Sequence, residues 1–281
     1  MKSGQRWRLM IDFHSRGHKD TALKMSQKMP PLSHHSAGED PLGLLKRVVY
    51  GSYAWAVFTV VALLTLLGLI LIPGMHRRRR LAAVASRGIL RMLGMPLHIV
   101  GREYLPDRQC VVAANHASYI DALVIKAVLP EQFAYVVKRE MAEVPLAGLL
   151  LRRLGTQFVE RFNRHRGALD TRRVLRTASN GESLLFFPEG TFETEPGLLR
   201  FHTGAFKSAV HARCPVVPCI IRGTRDILPT PRFFPQPGRI EVILLEPVTV
   251  EAGKEEENSA RALRDITRQR ILEQLGEPDR A

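Results

Sequence analysis

Two short stretches carry residue types and spacings suited to moving a proton. The first is Asn115-His116-Ala117-Ser118-Tyr119-Ile120-Asp121, directly after an apolar run. His116 is the natural general base at neutral pH. A carboxylate five residues on can reach back when the chain turns into a helix between the two. It then hydrogen-bonds one ring nitrogen, fixes the tautomer and leaves the other nitrogen to accept a proton. The same spacing also suits a helix N-terminus beside a solvated histidine. The second stretch is Phe187-Pro188-Glu189-Gly190-Thr191, following the apolar run Ser-Leu-Leu-Phe. Proline stiffens the exit and Gly190 lets the backbone approach a ligand closely. Glu189 can accept from a substrate hydroxyl, and free amides around Gly190 and Thr191 can cradle an anion. A plain β-turn accounts for the Pro and Gly equally well.

Both stretches need elements that aim them, and the pattern around them supplies strands. Residues 108–114, 133–137, 183–187, 216–221 and 240–245 read as short buried strands. Residues 170–179, with Arg172, Arg173 and Arg176 on the polar side, and residues 259–275 read as helices. Strand and helix in alternation imply an α/β fold, a central and mostly parallel sheet flanked by helices, with reactive groups at strand ends.

The N-terminal third differs in kind. No charged residue occurs from Val48 to Met75, and 17 of the 20 residues from Tyr53 to Ile72 are apolar. Twenty helical residues rise about 30 Å, the thickness of a bilayer's hydrocarbon core. Tyr53 and Trp55 stand where an aromatic interface anchor is expected. The run begins too far from the start for a cleaved signal peptide, so a retained membrane helix is expected, either crossing or re-entrant. Pro73 and Gly74 end it, and His76 with Arg77 to Arg80 follows. By the positive-inside rule this cluster sets the following domain in the cytoplasm, at the inner membrane, although Lys46 and Arg47 reduce the asymmetry. The same arginines suit anionic headgroups. Residues 81–101 suit an amphipathic helix, with Leu81, Val84, Ile89, Leu90 and Leu93 near helical spacing. The expected organisation is thus a mobile arm over 1–46, a membrane-anchoring helical segment over 47–96 and a catalytic domain over 97–281. Met25 and Met29 in the arm allow a native start downstream of Met1.

The chain has 281 residues, 45% of them hydrophobic and 24% charged, which excludes a wholly disordered polymer. Three scattered cysteines make neither a disulfide framework nor a CxxC zinc pair. A net charge of +14 calls for an anionic partner: nucleic acid, a phosphate-bearing substrate or acidic lipid headgroups. The apolar run favours lipid, and no nucleic-acid partner is expected.

Taken together, in this order and separation, the two stretches resemble the glycerolipid acyltransferase family typified by 1-acylglycerol-3-phosphate acyltransferase. Its NHxSxxD pattern stands here as NHASYID, and FPEGT stands unchanged. Lys138-Arg139-Glu140, Pro145, Gly148, Gly155, Phe158 and Arg161 look like its second block, and Val216-Val217-Pro218 like its fourth. Gly204-Ala205-Phe206-Lys207 is similar to the stretch that follows its third. The likeness covers residues 97–250.

The resemblance implies transfer of a fatty acyl group from acyl-CoA or acyl carrier protein to the free hydroxyl of 1-acylglycerol-3-phosphate, giving phosphatidic acid. In that scheme His116 removes the hydroxyl proton and Asp121 stabilises the imidazolium. Lys138 and Arg161 hold the acceptor's phosphate, and Glu189, Gly190 and Thr191 position its glycerol part. No metal and no cofactor beyond the acyl donor are implied, and Ser118 and Cys110 have no nucleophilic role. One position departs from the pattern: FPEGT commonly continues with an arginine assigned to phosphate, and here Phe192 follows. Another lysolipid acceptor, such as lysophosphatidylethanolamine or lyso-ornithine lipid, is the alternative this raises. A metal-assisted hydrolase built on His116, Asp121 and Glu189, and a silent membrane-anchored binding protein, are the readings from other classes.

Overall fold

Of seven short strands, the central ones are apolar on both faces, which is what a sheet covered by helices on both sides requires. All four residues of β2 (Val111–Ala114) are buried. A computed structural model describes residues 41–160, 164–229, 232–249 and 256–281, with backbone alone for 41, 164–169 and 171. The other strands are β1 (Leu97–Val100), β3 (Phe133–Lys138), β4 (Gln157–Val159), β5 (Ser183–Phe186), β6 (Val216–Arg222) and β7 (Ile240–Leu244). Their order is β1-β7-β6-β2-β5-β3-β4. β2, β3, β4, β5 and β6 run parallel, and β7, with β1 parallel to it, runs against them. The sheet is therefore mostly parallel, as the alternation of elements implies.

The period-2 alternation of strand side chains divides the core in two. Val112, Ala114, Val217, Cys219, Val242 and Leu244 face one layer. That layer contains helices α1 (Pro41–Leu71), α2 (Met75–Met92), α3 (Asp121–Val128) and the short α7 (Thr224–Ile227). Val111, Ala113, Val216 and Ile220 face the other, formed by α5 (Arg164–Ser179), α6 (Gly204–His211) and α8 (Glu256–Leu275). A short helix, α4 (Ala147–Arg153), precedes β4. Residues 44–281 make one compact unit.

The structure differs from the sequence reading in the N-terminal third. The helix expected over 81–101 starts at Met75 and stops at Met92. Gly94, at φ 62°, sends its N–H to Arg91 O, and Met95 N–H returns to Leu90 O; this paired closure ends a helix by satisfying its last carbonyls. Pro96 follows, and Leu97–Val100 becomes edge strand β1 instead of a last helical turn. Residues 41–46, assigned to the arm, are helical, and the rest of the arm lies outside the described residues. The basic cluster is not uniformly solvated either. Arg79 is 2% exposed, donating from Nε to Leu154 O at 3.0 Å and meeting Glu182 at 2.6 Å.

Helices α1 and α2 form an antiparallel pair. Tyr50 and Tyr53 hydroxyls donate to Leu93 O and Met92 O, at 2.8 and 3.1 Å. Further along, a Cβ at Gly68 would fall 2.5 Å from Leu81 Cδ2, so a larger residue there requires the Leu81 side chain to move. Ala54, Leu66 and Leu69 of α1 are buried, whereas Phe58, Val60, Leu63, Leu64, Leu67 and Leu71 are exposed. By length and composition α1 can cross a membrane, and only 22% of its apolar window is buried inside the protein.

Candidate active site

β2 and β5 are adjacent and parallel, so the two chemical stretches, 73 residues apart, leave the sheet side by side. Every residue of the first has an identifiable local task. Asn115 extends the sheet by one step with its side chain: Oδ1 accepts from Ile221 N–H at 2.7 Å and Nδ2 donates to Ile221 O at 3.0 Å. That double bond clamps the end of β2 to β6 and fixes the point at which the chain leaves the sheet.

The chain then turns into α3, and Asp121 in its first turn faces back toward the strand. Asp121 Oδ2 takes three donors: the His116 ring at Nδ1 (2.8 Å), Ala117 N–H (2.7 Å) and Ser118 N–H (2.8 Å). The carboxylate is fully buried, and its Oδ1 has no hydrogen-bond partner among the described residues. An ionised carboxylate only accepts, so Nδ1 carries the ring proton in this arrangement and Nε2 presents its lone pair. Ser118 Oγ donates to Leu228 O at 2.9 Å, tying the turn to the segment after α7. Cys110 is fully buried, and burial pushes its thiol up to about 12. Neither side chain is arranged as a nucleophile.

Glu189 occupies a tight turn that Gly190 closes at φ 76°, with Gly190 N–H returned to Phe187 O at 3.0 Å. Its carboxylate is 4% exposed and works inward. Oε1 accepts from His116 N–H at 2.6 Å and Oε2 from Leu199 N–H at 2.8 Å. Burial raises its pKa to about 7, against the pull of those two N–H donors toward the ionised form. Sequence reasoning offered this carboxylate to a substrate hydroxyl; the structure instead uses it to hold the backbone of His116. Thr191 is exposed beside it. Lys138 is exposed at the C-terminal end of β3, on the same sheet edge as His116 and Glu189 and separated from β2 by β5. Its neighbour Arg139 pairs with Asp170, which is 1% exposed and also accepts from Glu160 N–H just after β4. Arg161 lies outside the described residues.

Two aromatic rings pack on the imidazole and a third packs on one of them, a feature sequence reasoning did not find. Phe187 stacks on His116 with centroids 4.4 Å apart and planes at 23°, and Phe192 meets it edge-on at 4.6 Å. Tyr119 packs edge-on against Phe192 at 4.8 Å. The available signal was composition alone: each of the two stretches contains an aromatic residue within three positions of the proposed chemistry. The arrangement gives a half-shielded base at a strand end, held by its own carboxylate and packed against aromatic rings. It can take a proton from a hydroxyl delivered to Nε2 and return it to a leaving group.

The acyltransferase family matches residues 96–222. The 1-acyl-sn-glycerol-3-phosphate acyltransferase of Saccharomyces cerevisiae is 29% identical over 164 residues, which make up 57% of this chain and 54% of that protein. The mouse protein named 1-acyl-sn-glycerol-3-phosphate acyltransferase alpha is 31% identical over 179 residues, covering 60% and 63% of the two chains. This chain thus spans about half to three-fifths of the length of those relatives. The crystal structure of the 1-acyl-sn-glycerophosphate acyltransferase PlsC from Thermotoga maritima shares the fold. It superposes with a TM-score of 0.68 at 23% identity, covering 82% of this chain and 96% of that one.

Proposed function

We propose, from the match of the acyltransferase family to residues 96–222, that the protein transfers a fatty acyl group to the free hydroxyl of 1-acylglycerol-3-phosphate, giving phosphatidic acid. The observation that carries the reading is the His116–Asp121 pair at the end of β2, with Nδ1 engaged at 2.8 Å. Acyl-CoA or acyl carrier protein is the donor. His116 Nε2 takes the hydroxyl proton as the oxygen attacks the thioester carbonyl. The C–S bond breaks, and the departing thiolate receives that proton. Asp121 stabilises the imidazolium between those steps, and the face of Phe187 stacked on the ring favours a cation in the same place. Glu189 positions His116 through its backbone. Lys138, at the same edge, serves the acceptor's phosphate with Arg161, and the Gly190–Thr191 backbone meets its glycerol part.

Both acceptor and product are amphiphiles, and the outward face of α1 is a row of exposed apolar side chains. In this reading that face enters the lipid, so an acceptor moves to His116 without being extracted into water at about 0.8 kcal/mol per exposed methylene. Because α1 rests along α2 and buries its inner face, shallow insertion parallel to the membrane suits it better than an isolated crossing.

A lysolipid panel with acyl-CoA tests the proposal on the parent chain and on His116→Ala. Product from lysophosphatidic acid that falls about 10²–10⁴-fold in the variant supports it, and unchanged turnover would end it. Phe192 favours a second reading, an acceptor other than a phosphate monoester, because an aromatic ring occupies the place after FPEGT and packs on the base. Phe192→Arg in the same panel separates the two. If the ring excludes a phosphate monoester, the arginine variant gains on lysophosphatidic acid relative to lysophosphatidylethanolamine.

A further inference from the structure

Several described arginines of this basic chain meet a carboxylate. Arg79, Arg139, Arg222, Arg225, Arg268 and Arg280 all do so. Arg87, Arg91 and Arg102 converge on a cleft of about 470 Å³ between the last turns of α2 and strand β1. None of the three has an ion-pair partner among the described residues, and no acidic residue lines the cleft. Arg87 spends its Nε–H on Ala127 O at 2.7 Å, which orients the fork and leaves its terminal N–H groups. Leu90, Leu97 and Ile99 supply an apolar wall.

Two observations connect this cleft with the apolar helix and separate it from the chemistry. The Tyr50 and Tyr53 hydroxyls bind the carbonyls of Leu93 and Met92, so the first half of α1 runs beside the turn of α2 that lines the cleft. β1 is the edge strand, and β7 and β6 lie between it and the β2 that leads to His116. The cleft is therefore not part of the strand-end site.

We propose that Arg87, Arg91 and Arg102 form a second phosphate site, which takes the headgroup of an anionic membrane phospholipid while its acyl chains lie along the exposed face of α1. Guanidinium forks match phosphate oxygens in pairs, and three of them at one place are self-repelling until an anion arrives. An apolar wall beside the charges suits a ligand that is anionic at one end and oily at the other. The site would hold the protein on anionic leaflets in a set orientation. The inference rests on the membrane reading of α1 given above.

The test is co-sedimentation of the full chain with vesicles of phosphatidylcholine alone and of phosphatidylcholine containing phosphatidylglycerol. Each basic residue at an anionic surface is worth about fivefold in affinity, so Arg87→Gln/Arg91→Gln/Arg102→Gln should lose about 100-fold on the anionic vesicles and little on the neutral ones. Should loss of the Arg87 bond to Ala127 unfold that variant, Arg91→Gln/Arg102→Gln leaves the bond intact and should lose about 30-fold. Arg172→Gln/Arg173→Gln/Arg176→Gln removes equal charge from α5 on the opposite layer and should retain anionic binding. An equal loss in that control, or no loss in the cleft variants, overturns the site. Displacement of the parent by millimolar inorganic phosphate at constant ionic strength overturns the lipid assignment in favour of a free anion. A parent chain that binds neither vesicle type overturns the membrane reading itself.

Discussion

Asp121 and Arg91 both carry charge, and the molecule treats them in opposite ways. Asp121 is fully buried, with three donors converging on one oxygen from the adjacent turn. Arg91 stands exposed at the end of α2, in a cleft without a carboxylate. The contrast extends to the regions around them. At the strand ends, Asn115, Ser118, Asp121 and Glu189 spend their polar atoms on backbone groups of the same chain. Along α1 and the last turns of α2, leucines, tyrosines and arginines face outward. The first region is organised to keep one imidazole still, and the second gains its stabilisation only when something outside the chain meets it. Substitutions in the first should therefore act on turnover and folding together, and in the second on membrane binding alone.

The largest effect is expected at Asp121→Asn. The amide replaces an acceptor with a group that can turn a donor toward Nδ1, giving the wrong tautomer, and turnover should fall about 10²–10⁴-fold. Retention of near-parental turnover, measured with saturating acceptor, would mean that the pair is structural. Asn115→Ala comes next. It leaves Ile221 N–H and C=O without their side-chain partners in a buried place, at a cost of about 2–4 kcal/mol in chemical denaturation. A change under about 0.5 kcal/mol would show that water replaces the amide.

Glu189→Gln should cost about 1–3 kcal/mol, since one of two backbone N–H groups loses its acceptor. It should also change the dependence of stability on pH. Folded Glu189 keeps its proton up to about pH 7, whereas the unfolded carboxyl releases it near 4.5. The folded state therefore binds more protons between those values, and this residue's contribution to stability is greatest below that window and falls as pH rises through it. Thermal melts of parent minus variant should decline from pH 4.5 to 7 and level off above; a rising difference would reverse the argument. The smallest effect on folding is expected at Leu64→Ser, on the outward face of α1. It should change stability by under about 0.5 kcal/mol while weakening vesicle binding about fivefold. A stability loss above about 1 kcal/mol would show that this face packs against protein.

Some of this was legible along the chain because the contacts are short in sequence. His116 and Asp121 are five residues apart, and a single turn into a helix is enough to bring them together. The stop after Met92 was also written locally, in Gly94 and Pro96, although helical spacing of the preceding leucines masked it and β1 was read as more helix. β4 was missed because three half-buried residues give no periodicity to detect. Arg79 looked like its neighbours, since nothing in a run of four arginines marks the one that turns inward to Glu182.

The amino-acid order by itself determined the alternation of strands and helices, the apolar reach of α1 and the pairing of a histidine with an aspartate, all of which depend on periods or reaches of a few residues. Only the tertiary structure decided that Glu189 braces His116 across 73 positions, that Asn115 clamps Ile221 across 106, and that Phe187 and Phe192 pack on the imidazole. The physical reason is strand order. Which parallel neighbours flank β2 depends on how whole elements pack on both faces of the sheet, and no short stretch of sequence holds that information.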